Sequence, residues 1–255
     1  MTPGDGVAPD PVAELTARLL VQVLERSPRT LTGLADDLRR TATELAPLAV
    51  ALERHELVAW DAGRTGLRPG AAALRFARSG AGRRALVELA LQSLRRLADE
   101  SGETANLILP HPAATEAIAQ IDGEHLLGAT NWLGRELGLH CTAAGKVFLA
   151  FGAAELPPGE LAAPAPATIT DPARLERELE AVREAGYATI VDELEPGLSA
   201  VGAPVRDRDG SVIAALTVAG ASLRLAPERL QLLGRLTLEQ ASELSSRLGT
   251  TTEPL

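Results

Sequence analysis

The sequence predicts an α+β fold: a small N-terminal module of helices closed by a hairpin, then a larger antiparallel sheet with helices around it. Three observations carry that prediction. Residues 186–222, GYATIVDELEPGLSAVGAPVRDRDGSVIAALTVAGAS, hold three apolar runs, Tyr187–Val191, Leu198–Val205 and Val212–Ala219. Glu195-Pro196-Gly197 and Arg206-Asp207-Arg208-Asp209-Gly210 separate them. Pro-Gly and Asp-Gly are turn signals, because proline fixes φ and glycine accepts positive φ. Apolar runs between such turns are strands. Pro227–Leu248 puts Leu230, Leu233, Leu236, Leu244 and Leu248 on one helical stripe. Before residue 56, three helical patterns precede two short apolar runs around Asp61-Ala62-Gly63.

In chain order, residues 1–10 are Pro/Gly-rich and read as disordered. Pro11–Arg26 spaces Val12, Leu15, Leu19, Leu20 and Val23 helically, and Ser27-Pro28 stops it. Thr32 is expected to cap a second helix over Gly33–Arg40. Thr41-Ala42-Thr43-Glu44 has the capping-box form and opens a third helix through about His55. Pro47 conflicts with that start, since an interior proline costs roughly 3 kcal/mol. A start near Ala46 would make Pro47 a tolerated first residue and shorten the helix. Leu57–Trp60 and Gly66–Arg68 form the hairpin.

Three helices followed by a hairpin is the winged helix-turn-helix order. In that module the second helix of the pair enters the DNA major groove. The candidate contacts with double-stranded DNA are Arg39, Arg40, Thr41, Thr43, Arg54, and Arg64 and Arg68 on the wing. Glu44 and Pro47 leave base-reading chemistry thin, because base edges are usually read by Arg, Asn, Gln, Ser or Thr.

Pro69-Gly70 breaks the chain, and helices follow over Ala71–Ser79 and Arg83–Glu100. Gly80-Ala81-Gly82 marks a boundary. The expected division is 11–80 for the winged module, 81–101 for a linking helix and 102–250 for the sheet domain. Ala105–Leu109, ended by Pro110-His111-Pro112, then Thr115–Ile121 and His125–Asn131 read as strands. Leu139–Phe151 joins a strand end to a helix. Leu156–Pro166 reads as a flexible connection. Asp171-Pro172 opens a helix that Gly186 ends.

At 255 residues the chain allows one large or two small domains. Aromatics are only 2%, so the core must be built from Leu, Val, Ala and Ile. The net charge of −9 disfavours nonspecific attraction to nucleic acid or anionic membrane. It lies entirely beyond residue 80, where fifteen basic groups face twenty-four acidic ones. One cysteine, Cys141, excludes an intramolecular disulfide and fits a reducing cytoplasm. No apolar run spans a membrane and Met1–Pro11 lacks a signal-peptide form, so the expectation is a soluble cytoplasmic protein.

Two motifs resemble a known family. Gly186-Tyr187, Gly197-Leu198, Ala203-Pro204-Val205-x-Asp207-x-x-Gly210 and Ala214-Ala215-Leu216-x-Val218-x-Gly220 are similar to the effector-binding domain of IclR-family transcription regulators. So is Leu139-His140-Cys141-Thr142-Ala143-Ala144-Gly145-Lys146-Val147-Phe148-Leu149-Ala150. The resemblance covers much of residues 85–250 and implies a GAF-like C-terminal domain, a winged helix-turn-helix, self-association as dimer or tetramer, and a small effector. The effector positions it implies are Ala143, Ala144, Ile190, Leu198, Ala200, Thr217 and Ala219. Family members that bind small carboxylates often carry an acid where Ile190 stands and hydroxyls where Thr217 and Ala219 stand. With only Thr217 keeping one, an apolar ligand suits these positions better than a small anion. The family commonly has an Arg where Pro47 stands.

Other chemistry is weak. Lys146, the only lysine, is expected in a structural ion pair rather than as a Schiff-base former. Glu193 and Glu195 are expected at a solvated rim or in a local ion pair. His140-Cys141 is a poor nucleophile pair, since neighbours on a strand point apart. No cofactor motif or metal-ligand spacing occurs, and an enzyme is the less favoured reading. Two functions remain open: a ligand-responsive DNA-binding regulator, or a related scaffold without operator reading that binds an apolar small molecule or acts on a hydrophobic substrate.

Overall fold

A computed structural model of the chain describes residues 10–25, 29–78, 80–125 and 130–249. They form two compact units that divide between Ala85 and Leu86. Residues 1–9, the Ser27-Pro28 stop and most of the strand expected over His125–Asn131 lie outside the described residues. His125, Thr130 and Asn131, the described parts of that stretch, are not in a strand.

The first unit runs α1 (Pro11–Glu25), β1 (Arg29–Thr30), α2 (Leu31–Leu38), α3 (Ala42–Arg54), β2 (Val58–Trp60), β3 (Gly66–Pro69) and α4 (Ala71–Arg78). Its antiparallel sheet has the order β1-β3-β2. Leu19, Val23, Leu34, Leu38, Leu45, Leu52 and Leu67 fill the core. Asp61 sets the hairpin turn by accepting from Thr65 N (2.8 Å) and Thr65 Oγ1 (2.9 Å).

Two expectations here are corrected or settled. The cap of α2 is Thr30, not Thr32: the Thr30 backbone is already extended by its pairing with β3, and its hydroxyl accepts from Gly33 N (3.1 Å). The helix ends at Leu38 because Arg39 turns left-handed at φ 53°. The third helix starts at Ala42, as the capping box requires, so Pro47 is interior to it.

The second unit takes most of α5 (Gly80–Ser101), then β4 (Thr104–His111), β5 (Ala114–Ile121), β6 (Glu136–Leu137), α6 (Ala143–Ala150), α7 (Pro172–Ala185), β7 (Ala188–Val191), β8 (Leu198–Arg206), β9 (Val212–Ala221) and α8 (Pro227–Gly249). The sheet order is β6-β5-β4-β9-β8-β7, with every pairing antiparallel. The α+β class and the three central strands stand as expected. Pro110, expected to end β4, lies within it. Pairing of β4 with β9 stops at Ile108, so β4 is a free edge at Pro110, where a missing N–H costs no ladder bond.

Side-chain alternation gives the sheet two faces. One packs Leu107, Val201, Leu216 and Val218 against Leu94 and Leu97 of α5 and Leu233 and Leu244 of α8. The other packs Ile108, Ala117 and Ala215 against Val147 and Phe148 of α6 and Leu175 and Val182 of α7. Asp171 caps α7 through Ala173 N (2.7 Å) and Arg174 N (3.0 Å), and Gly186 ends it at φ 79°. Leu156–Pro166 holds no helix or strand.

Candidate functional site

The second face of the large sheet is not completely filled. Thr142 caps α6: its hydroxyl accepts from Gly145 N (3.1 Å) and donates to Gly138 O (2.8 Å). Gly145 lets the first turn press on the chain before it, since an added Cβ would collide with the Leu139 backbone. Gly202 of β8 lies under the same turn, and a Cβ there would stand 3.1–3.2 Å from Ala143 and Ala144. Some of the small residues therefore admit a helix. Beside that contact the others leave a cavity of about 50 Å³.

All seven residues expected around an effector line this one cavity: Ala143, Ala144, Ile190, Leu198, Ala200, Thr217 and Ala219. Sequence reasoning missed Asn106, Ile108, Thr115, Trp132, Leu137, Thr142 and Leu194 in the same wall. A signal existed for Asn106, a buried polar residue in an apolar strand, which pairs opposite Thr217. Most of the wall is aliphatic. Its polar groups are clustered, and several are unmatched. The amides of Ala143 and Ala144, the first two of α6, have no acceptor among the described residues. Asn106 Oδ1 is buried without a partner.

Lys146 lies one turn into α6 and is completely buried. Its Nζ donates to Glu193 Oε1 (2.7 Å), Glu178 Oε1 (3.1 Å) and Thr189 O (3.4 Å). Burial pushes the Glu193 carboxyl above its ordinary value, against the pull of Lys146. The pair ties α6 to the β7–β8 loop, from which Leu194 reaches the cavity beside Leu198 at the start of β8. Thr168 Oγ1 donates to Glu193 O (2.6 Å), and Asp192 Oδ1 accepts from Gly197 N (2.9 Å) and Ser222 Oγ (2.5 Å), so the loop is held along its length. Lys146 thus sits in the expected ion pair. Glu193 takes the ion-pair alternative and not the solvated rim.

His140 and Cys141 do not meet as a pair: His140 Nε2 bonds Ala162 O (2.7 Å), and Cys141 Sγ donates weakly to Gly138 O (3.8 Å). Burial pushes the thiol up to about 11, which leaves it protonated and unreactive at neutral pH. Among the described residues no group of three His, Cys, Asp or Glu could hold a metal ion, and no helix is long and apolar enough to cross a membrane.

In the first unit, α2 and α3 are joined by Arg39-Arg40-Thr41. Thr41 N donates to Glu44 Oε2 (2.8 Å), Thr41 Oγ1 donates to the same oxygen (2.8 Å), and Glu44 N donates to Thr41 Oγ1 (3.2 Å). Both side chains are thus engaged in closing the helix start. The bond from the Thr41 backbone, with help from its hydroxyl, holds the Glu44 carboxyl below its usual range. Thr43 and Arg54 are exposed on α3, Arg39 and Arg40 in the turn, and Arg68 on β3. Arg64 lies over the Trp60 ring at 5.3 Å and 3.6 Å from Glu53 Oε2.

Residues 80–246 match the family described as "Bacterial transcriptional regulator IclR C-terminal". The chain belongs to the IclR family of bacterial transcriptional regulators. It is 33% identical over 236 residues to the HTH-type transcriptional regulator BhcR of Paracoccus denitrificans, covering 91% of this chain and 80% of that one. It is also 33% identical over 167 residues to the HTH-type transcriptional repressor AllR of Escherichia coli K12, of which it spans 61%. The crystal structure of the Thermotoga maritima IclR is 26% identical, with a TM-score of 0.61 over 93% of this chain and 98% of that one. Within this IclR-family chain Thr142, Ala143 and Ala144 both build the helix start and line the cavity.

Proposed function

We propose that the chain is a ligand-responsive DNA-binding regulator. In this reading α3 and the β2–β3 wing contact duplex DNA in the cytoplasm, and a small molecule in the cavity at the start of α6 shifts that binding. The observation that carries it is the set of unmatched polar groups, the Ala143 and Ala144 amides and Asn106 Oδ1, in the wall of a mostly aliphatic hollow. A buried polar group without a partner is costly, and a bound ligand removes the cost. The aliphatic wall supports an apolar effector body, and the two amides at a helix N-terminus support one acceptor group on it, a carbonyl or carboxylate. Internal space of about 50 Å³ holds about three waters, which favours a molecule of few heavy atoms.

Self-association supplies two copies of α3 for paired half-sites. Leu74 and Phe76 on α4, and Leu89 on α5, are exposed apolar side chains consistent with it. A second reading, a scaffold that has lost operator recognition, is favoured by interior Pro47 and by the use of Glu44 in capping.

The test is a titration of the full chain onto duplex DNA flanking its own gene, across a salt series, with and without two- to four-carbon carboxylates. The regulator reading expects a Kd on the order of 10 nM or tighter that weakens steeply with salt and shifts with one of the ligands. A folded protein that binds none of this DNA in any condition contradicts it. Thr217→Val is expected to weaken ligand binding about tenfold, the loss of one hydrogen bond, with an unchanged melting temperature.

A further inference from the structure

We infer that α3 recognises its DNA chiefly through the methyl groups of thymines, contacted by Pro47, Val50 and Ala51. This rests on the DNA-binding reading above and deepens it. Leu45, Ala49 and Leu52 face the core. Thr43, Pro47, Val50, Ala51 and Arg54 are exposed, at the spacing of one helical face. Val50 is 46% exposed. This is the face that a helix-turn-helix turns to the major groove.

Its chemistry is unusual for that place. The two polar residues best placed at the helix start, Thr41 and Glu44, are bonded to each other. The central part of the face is a pyrrolidine ring, an isopropyl group and a methyl group. These have no donor or acceptor for a base edge, yet they match the C5-methyl of thymine, the one apolar feature that bases expose in the major groove. The surroundings fit DNA and not a hydrophobic protein: Arg39 and Arg40 precede the helix, Arg54 ends it, and Arg68 lies on the wing, all exposed. Cations around an apolar strip suit phosphates flanking a groove. Thr43 and Arg54, at the two ends of the strip, are left for polar contacts.

The test selects duplexes from a random-sequence library with the full-length chain, then replaces each thymine of the enriched site by deoxyuridine, which removes only the methyl group. At two or more positions the affinity is expected to fall about threefold to fivefold, the fold-change that burial of one methyl group corresponds to. Val50→Ser, at an exposed position and checked for an unchanged melting temperature, is expected to weaken the natural site similarly and to erase the deoxyuridine penalty at one position. Enrichment of a site whose affinity survives every deoxyuridine substitution overturns the inference and leaves the DNA-binding reading intact. Retention of no duplex at low salt overturns both. A Val50→Ser change in sedimentation behaviour with unchanged DNA affinity assigns the strip to a second copy of the chain and also overturns it.

Discussion

The two units each present a helix that begins with threonine, and the difference between those starts separates their roles. At α3, Thr41 is answered by Glu44 at the third helical position, and the carboxylate returns to the Thr41 amide. At α6, the third position is Gly145, which has no side chain to return to the Thr142 amide. Among the described residues the Ala143 and Ala144 amides lack an acceptor, as the Ala42 and Thr43 amides do at α3, but at α6 both residues are buried. The first start is exposed, so water reaches the amides its box leaves open. The second is buried and unfinished. Capping chemistry of the same kind thus makes a self-sufficient surface helix in one place and a set of waiting donors in the other.

The charge near each start sharpens the contrast and gives the largest expected effect. Glu44 is solvated, whereas Lys146 is enclosed with Glu193. Lys146→Met leaves a buried carboxyl without its cation and is expected to destabilise the second unit by about 3 kcal/mol. The loss is smaller at pH 5 than at pH 8, because a protonated Glu193 needs no cation. Adding Glu193→Leu is expected to recover most of the loss. Equal melting temperatures for wild type and Lys146→Met would show that the pair holds nothing in place.

Cys141, one residue before the α6 cap, gives the next effect. In the folded chain its thiol titrates at about 11 instead of 9.0. Between those values the unfolded chain loses a proton that the folded chain keeps, so stability falls as pH rises through that window. The difference approaches about 2.5 kcal/mol at the alkaline end. Cys141→Ala is expected to flatten the decline in denaturant midpoint between pH 9 and pH 11 relative to wild type, and parallel curves would contradict the burial argument.

The caps themselves come last. Thr142→Ala is expected to cost about 2 kcal/mol, because Gly138 O and Gly145 N both lose a partner in the interior. Thr41→Ala is expected to cost about 1 kcal/mol, the usual figure for an exposed cap. Denaturant titrations of the two variants check the order, and a larger loss at Thr41 would reverse it.

Much of this was legible in the sequence where one local rule governs. The Thr41–Glu44 box marked the start of α3 that the structure adopts, although Pro47 left a later start near Ala46 open, and Asp171, Pro172 and Gly186 bounded α7. The seven positions that the IclR resemblance implied for an effector fall around one cavity, because the last strands and the α6 start that carry the resembling motifs meet on one face of the sheet. Legibility failed where a residue's role depends on distant pairing. Pro110 read as a strand end because the free edge beside it follows from where β9 stops. Thr30 was passed over as a cap because its extended backbone comes from pairing with β3. Asn106 and Trp132 reach the cavity from strands and loops far away in sequence.

The claim that the unfinished start of α6 receives a guest is tested most directly by calorimetric titration of two- to four-carbon carboxylates into wild-type chain and into Ala219→Val, whose two extra methyl groups enter the hollow. The expected result is saturable binding to the wild type by at least one of them and none to the variant, with equal melting temperatures. Equal binding to both proteins, or no saturable heat with the wild type, would contradict it.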